Sequence, residues 1–139
     1  MYEIDKDKYL DPKIVAKFWI QREEETREEK ELDITGWLSS LIYNIFWNTE
    51  HADYAFEIID AIHELDKDQK HVETFSASLV EDILVHKGYS VIEKIENKAK
   101  QDRSFANVLG GVWKSKISEE IWERVQNARD TSIWADSQQ

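Results

Sequence analysis

From residue 35 to residue 65 the chain reads TGWLSSLIYNIFWNTEHADYAFEIIDAIHEL, and this stretch decides the fold class. In its first half Trp37, Leu38, Leu41, Ile42, Ile45 and Phe46 share one broad face at helical spacing, with Tyr43 and Trp47 turned toward the other side. A helix this apolar around its girth is either central or half covered by a partner. Asn48 or Thr49 caps the next helix, which runs to about Leu65 with Ala52, Ala55, Phe56, Ile59 and Ile62 inward. No stretch of alternating polar and apolar residues competes, so strands are absent or trivial.

The same period continues outward in both directions. Toward the N-terminus, Asp11-Pro12 opens a helix whose apolar face is Ile14, Val15, Phe18 and Trp19. Past Gln21 that helix turns wholly polar, and such a segment projects into solvent or ends early. Toward the C-terminus, a helix over about Val72 to His86 stops at Gly88, and Ser90 with Glu93 forms a capping box for another through Lys100. Asp102 caps a short helix carrying Phe105, Val108 and Leu109 that ends at Gly110-Gly111. Ser118 opens the last, with Ile121, Trp122 and Val125 inward and Glu119 and Glu120 at its positive end. The expected fold is all-α: one domain over residues 1–139, about six to seven helices, arranged as an antiparallel bundle or a short solenoid-like stack of helix pairs. Residues 1–10 and 131–139 are expected as flexible or docking tails. Trp19, Trp47, Trp113 and Trp122 are expected to anchor helix contacts, and Trp134 to fold back on the body.

Composition narrows the function classes. Eighteen Lys and Arg against 29 Asp and Glu give a net charge of −11. That field repels nucleic acid and anionic membrane and attracts basic proteins or cations. There is no cysteine, which removes disulfides and thiolate chemistry. The charged N-terminus and the lack of a long apolar run lead to the expectation of a cytoplasmic protein. His51, His63, His71 and His86 show no HExxH or ExxH spacing, and no acid-rich loop suits calcium. Gly110-Gly111 stands apart from any phosphate-loop pattern, and no serine sits in a nucleophile elbow. The expectation is no metal, no cofactor and no enzymatic activity.

One constellation stands out. At roughly 100° per residue, Glu50, Asp53, Glu57, Asp60 and Glu64 fall in a single arc opposite Ala55, Ile59 and Ile62. No Lys or Arg occurs from Glu50 to Asp66, whereas an ordinary solvated helix mixes signs. The stretch from Val91 to Arg103 is slightly basic, with Lys94, Lys98, Lys100 and Arg103 against Glu93, Glu96 and Asp102. The carboxylate row is either a wet face or a ridge shaped to meet a basic surface, with Glu57 and Asp60 central and Tyr43 and Trp47 as its apolar anchors. On the ridge reading, reversing Glu57 and Asp60 to Lys abolishes binding without unfolding.

The stretch Glu81-Asp82-Ile83-Leu84-Val85-His86-Lys87-Gly88, followed by Ile95-Glu96, Ala99, Asp102, Phe105 and Leu109-Gly110-Gly111-Val112-Trp113, resembles a small bacterial family of unknown function. The resemblance covers about the C-terminal half and implies a helical domain with no activity attached. In type, though not in motif, the chain also resembles immunity proteins that neutralise toxins. That likeness implies an inhibitor whose acids occlude a basic, nuclease-like toxin. The alternative is a helical adaptor or assembly subunit, such as a homodimer through the Thr35–Trp47 helix.

Overall fold

The computed structural model describes residues 10–32, 36–47 and 49–134. Its helices are α1 (Pro12–Glu24), α2 (Arg27–Glu31), α3 (Gly36–Trp47), α4 (Ala52–Leu65), α5 (Val72–Phe75), α6 (Glu81–Gln101), α7 (Arg103–Gly110) and α8 (Glu119–Ala128). Short 3₁₀ turns occupy Thr49–His51 and Ser132–Trp134, and one π-helical turn, Ser76–Val80, joins α5 to α6. No strand occurs among the described residues, and the all-α expectation holds.

Local chemistry sets the helix ends. Asp11 accepts a hydrogen bond from the Lys13 amide at 2.8 Å with Pro12 at the first helical position, and Ser118 accepts from the Ile121 amide at 3.4 Å. The polar run after Gln21 ends α1 at Glu24, and Thr26 caps the short, wholly exposed α2 through the Glu29 amide. Of the two residues expected to cap α4, Asn48 lies outside the described residues and Thr49 starts the 3₁₀ turn instead, so that α4 begins after His51.

One core runs through the molecule, built on Leu38, Ile45 and Phe46 of α3, Ala55, Ile58, Ile59 and Ile62 of α4, Ile83, Leu84, Ile92 and Ile95 of α6, and Phe105 and Leu109 of α7. Each fully buried Ile or Phe contributes about 1.5–3 kcal/mol relative to exposure. From α1, Trp19 packs on Phe75 with ring centroids 5.7 Å apart.

Helices distant in sequence pack side by side in the same direction. Asp53 pairs with Lys94, Asp60 with Lys98 and His63 with Asp102, in ascending order along both α4 and α6. Those two helices therefore run in the same sense. At the other side of α4, the Tyr54 hydroxyl donates to the Leu10 carbonyl at 2.6 Å, while Leu65 lies beside Ile20 and Glu24, so α1 runs the same way too. Consecutive helices return the chain, and the principal packing joins helices distant in sequence.

Two glycines serve close packing as well as their expected helix ends. Gly88 marks a real break: the backbone leaves helical geometry at Lys87 (φ −132°, ψ 18°), so α6 is two helical segments joined at a kink, and the second resumes at Gly88, ahead of the expected cap at Ser90. A Cβ on Gly88 would lie 3.0 Å from Ile121 Cγ1, so the missing side chain serves the close approach of α8. Gly111 does follow the end of α7, but its function is again contact. A Cβ there would lie 2.5 Å from the Trp134 ring and 2.9 Å from Ser76 Cβ. Trp134 is buried in this cradle and donates its indole N–H to the Asn107 carbonyl at 2.7 Å. Trp113, expected as an anchor, is instead 60% exposed just past the cradle.

Candidate partner-binding surface

The carboxylate row forms as α4 geometry requires, with Asp53, Glu57 and Glu64 exposed and Asp60 half-buried, and with Glu50 exposed in the turn just before the helix. It is not, however, an uncompensated ridge. Lys94 and Lys98, one turn apart on α6, face α4 and pair with Asp53 and Asp60. Lys98 is only 14% exposed and sits over the Phe105 ring at 5.2 Å, which makes its bond to Asp60 part of the α4–α6 contact. Lys94 is more exposed and lies 5.8 Å from the Phe56 ring centroid. Glu64 is 3.3 Å from Lys67, while Glu57 has no ion pair among the described residues. The slightly basic stretch of the sequence thus lies along the acidic one.

Tyr43 and Trp47 do lie together. They stack at 4.9 Å near the end of α3, and both are about half exposed or more, at 57% and 48%. Trp47 also stacks on His86 of α6 at 4.1 Å, a contact the linear sequence did not signal. Below this stack opens a cleft of about 320 Å³ between α1, α3 and the α5–α6 helix. Trp19, Leu38, Ile42 and Leu79 give it an apolar lining, with Arg22, Glu23 and Asp82 as its charged members. Burial pushes the Asp82 carboxyl above the usual range, partly offset by the charge of His86 one turn on, and Glu81 is raised by burial and by Asp82. The π turn contributes Ser78 and Leu79 to this lining, and π turns recur at functional sites.

Two other polar groups sit deep in the fold. His63 is buried, and its Nε2 lies 2.9 Å from Asp102 Oδ2 and 3.0 Å from Ser104 Oγ. Ser104 gives its own proton to Asp102 Oδ1 at 2.7 Å, and Asp102 accepts the Ser104 amide as the α7 cap. Burial alone would raise the Asp102 carboxyl, but the bonds from Ser104 and His63 outweigh it and hold it down to about 2. Carboxylate and hydroxyl share one ring nitrogen instead of flanking the imidazole. The trio therefore ties α4 to α7 and lacks the geometry of a proton relay. Lys87, at the kink, is 2% exposed; its Nζ has no hydrogen-bond partner among the described residues, and burial pushes it down to about 8.

Among the described residues no group of three or more His, Asp and Glu side chains is placed to hold a metal, and no helix is long and apolar enough to cross a membrane. Fold and surface together define an all-α, single-domain protein with a partly neutralised acidic face and an aromatic cleft beside it. The chain belongs to a family of unknown function, DUF6869, whose model matches residues 22–133. The matched segment holds the whole of α4, the α6 lysines and nearly all of the cleft. No curated protein and no solved structure matches the chain.

Proposed function

We propose that this chain is an acidic, non-enzymatic binding protein that engages a basic protein partner, of the inhibitor type that immunity proteins represent. A cytoplasmic site of action goes with this reading. The observation that supports it is the joint between α3 and α4, where the exposed Tyr43–Trp47 stack meets the start of the row Glu50, Asp53, Glu57, Asp60 and Glu64 on a chain of net charge −11. A basic surface reaching this joint finds charge for steering and aromatic area for a dry anchor. Since Asp60 is committed to Lys98, Glu57 and Glu64 carry the row's outward charge, and Asp53 is available by exchange for the exposed Lys94.

The test is co-purification of the tagged chain from its native cells at low and high salt. A stoichiometric basic protein, released by salt and lost in Glu57→Lys, is the expected result, and its inhibition by the chain is then assayed directly. The exposed aromatic pair also favours a second reading, a self-associating adaptor joined through α3. A salt-resistant homodimer that dissociates in Tyr43→Ser would replace the first reading with the second.

A further inference from the structure

We infer that the cleft between α1, α3 and the α5–α6 helix receives an arginine side chain of the basic partner, its guanidinium stacked on the outer face of Tyr43 and bonded to Asp82. The identity of the occupant as part of a protein rests on the function proposed above; the chemistry of the cleft does not.

Three observations converge on a cation. Trp47 is held between Tyr43 and His86, and the Tyr43 ring, which lines the cleft, keeps its outer face open to solvent. Such faces attract cations, and a planar guanidinium can stack on them as well. Asp82 is half-buried and lines the cleft with no hydrogen bond or salt bridge among the described residues, so its carboxylate can take a donor that enters the cleft. The same burial that raises it would be reversed by an incoming positive charge. Finally, Glu23 stands on the α1 side of the cleft, so the carboxylates of Glu23 and Asp82 outnumber the single guanidinium, Arg22, that also lines it.

The shape selects arginine among cations. A cleft of about 320 Å³ with an apolar lining takes the methylene stem, and a carboxylate within it offers two oxygens to a fork of N–H donors. A lysine ammonium is more strongly hydrated and cannot stack. A second copy of this chain is a poor occupant, because each carries a net charge of −11 and like charge opposes the approach.

The experiment is an NMR titration of the full chain, following the Trp47 indole and the Tyr43 ring, with a capped Gly-Arg-Gly tripeptide. Its citrulline analogue, equal in shape but uncharged, is the control. The inference expects saturable shifts at Trp47 with the arginine peptide, at least ten-fold weaker binding of the citrulline peptide, and a similar loss in Asp82→Asn. Glu123→Gln, an exposed α8 residue outside the cleft lining, should leave the titration unchanged. Tyr43→Ser provides a second variant should Asp82→Asn disturb the helix, and it too should weaken binding. Equal binding of citrulline, silence at Trp47, or shifts that follow only the protein's own concentration would overturn the inference. Saturation by the tripeptide with no basic protein captured from cells would refute the proposed function and keep the cation site. Capture of a basic protein equally by wild type and Asp82→Asn, with no tripeptide shift, would do the reverse.

Discussion

Replacing Lys87 by Met should make this protein more stable, and by an amount that depends on pH in a defined way. The Lys87 amine is buried at the α6 kink without a partner and titrates at about 8, against an ordinary 10.5. Between those values the unfolded chain binds more protons than the folded one, so stability arising from this group increases with pH across that window. Below it the fold carries a buried ammonium whose cost, at 1.36 kcal/mol per pKa unit, reaches about 3 kcal/mol. Methionine keeps the length and flexibility of the stem without the charge. In urea unfolding followed by far-UV circular dichroism, Lys87→Met should gain up to about 3 kcal/mol near pH 7, with an unchanged m-value, and less than about 1 kcal/mol near pH 10. An advantage that did not shrink with pH, or a variant less stable than wild type near pH 7, would refute the reasoning. Either result would mean that Lys87 Nζ reaches water or a partner.

Gly111→Ala should destabilise by about 1–3 kcal/mol through overpacking against Trp134 and Ser76, and its added cost should shrink in a Trp134→Ala background, which a double-mutant cycle of thermal melts measures. Asp60→Lys should lower stability by roughly 1–3 kcal/mol because the nearly buried Lys98 is left facing a like charge, whereas Glu57→Lys should change it by less than about 0.5 kcal/mol. Partner capture is therefore to be tested with Glu57→Lys; the double reversal expected from sequence would confuse binding with folding. The Asp102 carboxyl is depressed to about 2, so its contribution is present above the ordinary carboxylate range near pH 4 and is lost as pH falls toward about 2. Melts of Asp102→Asn across that window should show a shallower acid decline than wild type, while an identical slope would remove Asp102 from the account.

What the linear sequence revealed follows the range of each interaction. The caps at Asp11, Asp102 and Ser118 involve residues two or three apart, and they formed where the side chains and helical period placed them. The exposure of Tyr43 and Trp47 was equally legible, since it depends only on which side of α3 is apolar. Lys94 and Lys98 were visible as a basic stretch, but their alignment with Asp53 and Asp60 depends on which helix packs against α4 and in which direction. The helix breaks at Gly88 and Gly110-Gly111 were legible because glycine has that local meaning. Their contacts with Ile121, Asp130 and Trp134 come from elsewhere in the chain. His86 on Trp47 and the cleft beneath it were hidden for the same reason.

The shared direction of α1, α4 and α6 also bears on how fast the chain can fold. Its defining contacts close long segments: 44 residues between Leu10 and Tyr54, 41 between Asp53 and Lys94, and 39 between His63 and Asp102. Helical proteins that pair neighbours close short loops and fold quickly, because little chain entropy is lost before contacts form. Here no consecutive hairpin holds the core by itself, and α4 is completed only when α6, made much later in the chain, lies beside it. Folding should therefore be slower than for an up-and-down bundle of this length, with α4 flanked by α1 during synthesis but its α6 side uncovered until residues near Lys98 have emerged.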